Sequence, residues 1–123
     1  MIGYVTLGTN DLPKATAFYD ALCAELGATR IMETDQFVGW GTSMDQPLLI
    51  VFIPDNKQPA TVGNCVMVAL QADSPESIDR WHAKALELGG TDEGAPGPRG
   101  DNFYAGYFRD LDGNKLNFFC MQG

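Results

Sequence analysis

Apolar positions recur with helical spacing in two stretches of the chain. Ala15, Phe18, Tyr19, Leu22 and Leu26 make the first stripe, and Ile78, Trp81, His82, Ala85 and Leu88 the second. Both follow the i, i+3, i+4, i+7 rule of a helix with one buried face. Each stripe has start and stop signals. Asn10 or Asp11 can cap the first helix, with Pro13 in its first turn, and Ser74 can cap the second, with Pro75 at the first helical position. A proline there loses no hydrogen bond. Gly27 and the Gly89-Gly90 pair end the helices by allowing a left-handed turn. Elsewhere the apolar residues lie in short β-rich runs, namely 2–8, 30–34, 37–42 and 47–53 in the first half, then 64–72, 92–96, 103–109 and 115–120 in the second. Asp112-Gly113-Asn114 predicts a tight turn before the last run. Residues 94–100, Gly-Ala-Pro-Gly-Pro-Arg-Gly, are too rich in glycine and proline for regular strand and predict a mobile loop.

The two halves repeat one another. Laying Tyr-Val-Thr-Leu (4–7) over Met-Val-Ala-Leu (67–70) brings Phe18 onto Trp81 and Tyr19 onto His82. After a one-residue slip, Leu26-Gly27 falls on Leu88-Gly89 and Thr29 on Thr91. Matched residues share predicted structure, so each half reads as a βαβββ module. Module one covers about residues 1–54, a hinge containing Pro59 spans 55–63, and module two covers about 64–123, the whole being one domain. A βαβββ module covers one sheet face with its helix and leaves the other for pairing. Two such modules predict an α+β fold with a curved mixed sheet around a cleft, where a ligand binds.

Composition narrows the partners. The chain has 123 residues, 45% of them hydrophobic and 20% charged, enough for a core without a disulfide or metal staple. Its longest apolar run, residues 48–54, is far short of the roughly 20 residues of a membrane span, and no basic-then-apolar leader follows Met1. The expectation is a soluble, cytoplasmic protein. Sixteen acidic against eight basic residues give a net charge of −8 without a Lys/Arg stripe, which disfavours nucleic acid and anionic membrane. Cys23, Cys65 and Cys120 form no C-x-x-C pair and read as reduced thiols. Asp110-Leu-Asp112-Gly113 lacks a calcium loop's ligand set and reads as a turn.

Three segments carry a family resemblance: Thr-Asn-Asp-Leu-Pro-Lys-Ala-Thr-Ala-Phe-Tyr (9–19), Leu-Gly-Gly-Thr (88–91) and Tyr-Phe-Arg-Asp-Leu-Asp-Gly-Asn-Lys-Leu (107–116). With the paired βαβββ halves, they resemble the vicinal oxygen chelate superfamily, which includes glyoxalase I, extradiol dioxygenases, fosfomycin-resistance proteins and bleomycin-binding proteins. The resemblance spans the chain, and its motifs belong to the scaffold rather than to one reaction. It implies a divalent metal held by side chains of four strands, often two His and two Glu. Those positions fall here on Tyr4, Met67, Asn117 and the strand 48–53, which has no His, Asp, Glu or Cys. Thioether, amide and neutral phenol are poor ligands for such a cation. The reading is therefore a lost metal site and no cofactor.

The candidate ligand-binding residues are Tyr4, Trp40, Met67, Arg99, Tyr104, Tyr107 and Asn117. If the alignment holds, Tyr4, Met67 and Asn117 share the inward strand parity. They either orient a ligand, by hydroxyl, amide and adaptable thioether, or merely fill the space of the former metal. Trp40, Phe103, Tyr104 and Tyr107 supply either the rest of the cleft wall or ordinary core. Arg99 either clamps a ligand carboxylate or is simply solvated. His82 lies on the apolar helix stripe and reads as packing, away from the cleft. Cys65 shares Met67's parity, and both it and Cys120 read as inert thiols without a neighbouring base.

The favoured expectation is a homodimeric protein that binds a small organic molecule in an aromatic cleft without the family metal, the dimer being implied by the resemblance. The alternative is a metal-dependent glyoxalase-like lyase or dioxygenase-like enzyme with atypical ligands, the metal acting as a Lewis acid. A third possibility is metal-free catalysis with Tyr4 or Tyr107 as general acid.

Overall fold

The computed structural model describes residues 1–121. Its elements run β1 (Tyr4–Gly8), α1 (Leu12–Glu25), β2 (Thr29–Glu33), β3 (Phe37–Gly41), β4 (Leu48–Phe52), β5 (Val68–Gln71), α2 (Pro75–Glu87), β6 (Thr91–Pro98), β7 (Phe103–Arg109) and β8 (Lys115–Met121). Two compact units result, Met1–Val62 and Gly63–Gly123, and each is βαβββ. The architecture is α+β, with strand order β1-β4-β3-β2 in one sheet and β5-β8-β7-β6 in the other. Each sheet is mixed. β1 runs parallel to β4 and β5 parallel to β8, and the remaining neighbours are antiparallel.

The helices begin and end where the sequence signals them. The Asp11 carboxylate accepts from Lys14 N at the start of α1, and the Ser74 hydroxyl accepts from Ser77 N at the start of α2. Gly27 (φ +77°) and Gly89 (φ +106°) carry the left-handed turns that stop them. The buried face of α1 is Ala15, Phe18, Tyr19 and Leu22, and that of α2 is Ile78, Trp81, His82 and Ala85. Beneath α1, the Tyr19 and Trp40 rings lie 5.4 Å apart. Beneath α2, Trp81 meets Phe118 edge-on at 5.4 Å, and Phe118 stacks on Phe108 at 5.0 Å. These rings fill the two cores, where each buried aromatic adds a large apolar area and a preferred ring geometry. The His82 ring is buried, with Nε2 3.0 Å from the Tyr107 carbonyl oxygen and 3.2 Å from an Asp92 carboxylate oxygen. It is a packed helix residue, as its place on the stripe predicts.

Two elements differ from expectation. Residues 94–100 are not all loop, because β6 continues to Pro98 and pairs with β7 as far as Pro98↔Tyr104. Register shifts between Asp92 and Gly94 and between Gly94 and Gly97 absorb the glycines and Pro96. β6 is also the sheet's edge, where a missing proline N–H costs no ladder bond. The strand expected over 64–72 is shorter. Asn64 and Cys65 form a turn, Cys65 having φ +80°, and β5 starts at Val68. Cys65 therefore has no strand parity to share with Met67, which lies just before the strand.

The turn between β7 and β8 fixes their register. Buried Asp110 accepts from the backbone N–H groups of Asp112 and Asn114, both at 2.9 Å, and from the Asn114 side-chain amide at 3.0 Å. Gly113 supplies the left-handed conformation (φ +89°). In the resulting pairing Arg109 faces Lys115, Tyr107 faces Asn117, Ala105 faces Phe119 and Phe103 faces Met121.

Candidate functional site

Side chains alternate between sheet faces, so the contacts of one residue locate its neighbours two positions away. In the second unit Phe108 and Phe118 lie against α2. The opposite face therefore carries four cross-strand rows: Arg109 and Lys115, then Tyr107 and Asn117, then Ala105 and Phe119, then Phe103 and Met121. The gradient runs from cationic to apolar. Phe103 and Phe119 stack at 5.7 Å across two of the rows. The Tyr107 ring is flanked by two cations, the Arg99 guanidinium and the Lys115 ammonium, each 5.5 Å from its centre.

Asn117 is the anomaly of this face. It is 1% exposed, and among the described residues its Oδ1 is buried without a hydrogen-bond partner. An unsatisfied buried amide oxygen costs roughly 1–3 kcal/mol and calls for an explanation.

Arg99 is exposed, yet its guanidinium is held by backbone carbonyls. Its Nη1 donates to the carbonyls of Gly97 (3.0 Å) and Pro98 (3.4 Å), and its Nη2 to that of Ala95 (2.8 Å). A Cβ at Gly97 would stand 3.3 Å from Nη1, and one at Gly94 3.3 Å from Nη2. The glycines of β6 thus leave the shelf on which the guanidinium lies. On the same side Arg109 pairs with Glu93 at 2.5 Å and donates to the Gly113 carbonyl at 2.8 Å. That hydrogen bond and the Arg109 charge hold the Glu93 carboxyl below the usual carboxylate range.

The structure thus brings Arg99, Tyr107 and Asn117 onto one face. Met67 precedes β5, the strand beside β8, and is 40% exposed. Tyr4 belongs to the first unit, at the start of its edge strand β1, and is 62% exposed. Two expected cleft-wall residues lie elsewhere. Trp40 is buried beneath α1, with Nε1 donating to Asp20 at 2.9 Å. Tyr104 alternates with Tyr107 onto the α2 side, where its hydroxyl donates to Asp79 at 2.7 Å. That bond to a carboxylate, with desolvation, raises the phenol above its ordinary range. Lys115 and Phe119 were not singled out from sequence, although they share the parity of Asn117.

In the first unit the face opposite α1 carries Tyr4 and Thr6 on β1 and is otherwise largely hydrocarbon. Leu48, Ile50 and Phe52 of β4 lie there, with Phe37 stacked on Phe52 at 4.8 Å and Ile50 and Met32 crowding Gly39. By residue type, the positions where the resemblance implies a divalent metal hold a phenol (Tyr4) and the aliphatic strand β4 in the first unit, and a thioether (Met67) and an amide (Asn117) in the second. Among the described residues no group of three or more His, Cys, Asp or Glu side chains stands ready to hold an ion. This donor set does not fit such a cation.

Two βαβββ units of this strand order define the fold class. The family model for the Glyoxalase/Bleomycin resistance protein/Dioxygenase superfamily matches residues 1–118, and the chain belongs to that superfamily. A glyoxalase/bleomycin resistance protein from Albidiferax ferrireducens T118 is 36% identical, with a TM-score of 0.89 and 98% of each chain covered. Hypothetical protein SA1046 from S. aureus is 28% identical, with a TM-score of 0.72, covering 98% of this chain and 96% of that one. A lactoylglutathione lyase from Agrobacterium tumefaciens shares the fold at 23% identity and a TM-score of 0.73, covering 98% and 92%. No curated protein matches the chain in sequence. No helix among the described residues is long and apolar enough to cross a membrane.

Proposed function

We propose that this protein binds a small organic molecule on the face of the second unit opposite α2, without the divalent metal of its metal-dependent relatives. The observation that carries the reading is Asn117. It occupies a family ligand position, is fully buried, and holds an amide oxygen with no partner. A ligand hydroxyl or N–H donated to that oxygen removes the desolvation cost, while Tyr107 and the Phe103–Phe119 pair supply aromatic contact. Met67, exposed beside this sheet, adds adaptable apolar contact.

The working form is a homodimer. β1 and β5 are edge strands, and the exposed apolar residues Ile2, Tyr4, Val66 and Met67 lie on or just before them. Uncovered edges of this kind favour pairing with another chain. Tyr4 serves in this assembly as an apolar contact with a polar tip. Sedimentation of the purified chain is expected to give twice the monomer mass, and a monomer at all accessible concentrations contradicts the dimer.

Elemental analysis of protein purified without chelators tests the metal-free reading. The expected result is transition metal far below one ion per chain, with ligand binding unchanged by EDTA. Near-stoichiometric Ni, Zn, Fe or Mn that disappears in a Tyr4→Phe/Asn117→Ala double variant overturns it in favour of a metal-dependent enzyme.

A further inference from the structure

We infer that the ligand is a small organic anion, a carboxylate carried on an aromatic or alicyclic body, and that Arg99 is the residue that selects it. The inference rests on the preceding reading of the second unit's face and adds the chemical class. Arg99 has five N–H donors, of which three point to the carbonyls of Ala95, Gly97 and Pro98. Among the described residues nothing accepts from Nε–H or from the second Nη2–H. Together these match the two oxygens of a carboxylate, the pairing for which a guanidinium is suited. The three carbonyl bonds and the Tyr107 ring already fix the side chain, so little rotamer freedom is lost on binding.

Charge on this face runs against the rest of the molecule. The whole chain carries −8, yet the face gathers Arg99, Arg109 and Lys115. Arg109 is engaged by Glu93, and among the described residues neither Arg99 nor Lys115 has a carboxylate at ion-pair distance. Lys115 lies close enough to Glu93 to help hold that carboxylate ionised, so Arg99 is the cation beside Tyr107 left to attract an anion. The surrounding negative field repels a polyanion, so the charge recognised is small. Gly97 pairs with Ala105 and Gly94 with Tyr107, so the guanidinium lies beside the second row of the face. The next two rows hold Ala105, Phe119, Phe103 and Met121, which accept an apolar body rather than further charge.

The experiment titrates the full chain with benzoate, benzamide and inorganic phosphate, following amide resonances of labelled protein. Benzoate is expected to bind on the Tyr107–Asn117 face about tenfold or more tighter than its neutral isostere benzamide, with inorganic phosphate much weaker than benzoate. Arg99→Gln is expected to abolish the benzoate preference, bringing benzoate down to the affinity of benzamide. Gly97→Ala, whose Cβ presses on the guanidinium, is expected to weaken benzoate several-fold while melting at an unchanged temperature. Equal affinity for benzoate and benzamide, or an Arg99→Gln variant that still prefers benzoate, overturns the anion inference and leaves the small-molecule reading standing. Phosphate binding as tight as benzoate overturns the organic body. If neither aromatic probe perturbs this face, the class assignment and the binding reading fall together.

Discussion

The two units share a backbone plan and differ in what they place opposite their helices. In the first, Leu48, Ile50, Phe52 and Phe37 make that face largely apolar. In the second, Lys115, Asn117, Phe119 and Tyr107 occupy it. The contrast is sharpest at one pair. Ile50 lies across from Thr6 at the third pair of the β1–β4 ladder, and Asn117 lies across from Ala69 at the second pair of the β5–β8 ladder. Both side chains are buried, but only Asn117 carries an unpaired polar atom. The helix-side cores keep the fold, and the proposed binding face lies on one copy of the repeat.

The largest effects should fall on the cores and be alike in the two units. Trp40→Ala in the first and Phe118→Ala in the second are each expected to cost about 3–5 kcal/mol in denaturant unfolding. That is a large part of the 5–15 kcal/mol typical of a domain. A marked inequality would show that one unit depends on the other for its core. Exchanging the two face residues comes next. Ile50→Asn loses apolar burial and adds an unsatisfied amide, for an expected loss of about 3 kcal/mol. Asn117→Leu removes an unsatisfied acceptor and is expected to raise stability by about 1–2 kcal/mol while abolishing ligand binding. If Asn117→Leu destabilises the protein and spares binding, Asn117 is a structural residue and the contrast between the faces loses its meaning.

A smaller effect concerns Asp20 on α1. Its carboxylate accepts from Arg30 at 2.5 Å and from Trp40 at 2.9 Å. The Arg30 hydrogen bond lowers its pKa, partly opposed by desolvation and helped by Trp40. A carboxyl depressed in the folded state stabilises above its unfolded pKa, near 3.9, and this contribution disappears as pH falls through the lower folded value. With both side chains 39% exposed, solvent screening holds the effect to about 0.5–1 kcal/mol. Comparing wild type with Asp20→Asn between pH 7 and pH 3 should show the difference shrinking toward acid. The smallest effect is chemical. Cys65 is exposed, whereas Cys23 is buried and its thiol pushed up to about 12 by desolvation, with the Asp20 charge adding to it. One fast-reacting thiol is expected in the native protein and three after unfolding.

Much of the fold was legible because it rests on local rules. The capping residues Asp11 and Ser74, the stopping glycines and the two apolar stripes each have one structural solution. β6 was not, because Gly94 to Gly100 reads as looseness when only sequence is seen. The pairing that orders it comes from β7, and the same glycines turn out to make the shelf for Arg99. The site was legible in part. Asn117 and Tyr107 follow from the family register and strand alternation. Trp40 and Tyr104 were misplaced because aromaticity does not say which face a residue occupies, although Tyr104 has the opposite parity to Tyr107. The hydrogen bonds to Asp20 and Asp79 that confirm their sides join residues distant in sequence.

The central claim is that the second unit's face, and not the first's, receives the ligand by hydrogen bonding and shape. The most direct measurement is the side-chain amide resonance of Asn117 during a benzoate titration in EDTA, recorded together with the methyl resonances of Ile50. A saturable shift at Asn117 with Ile50 unmoved is the predicted result. A silent Asn117 beside a responding Ile50, or a response at Asn117 only after a divalent metal is restored, contradicts it.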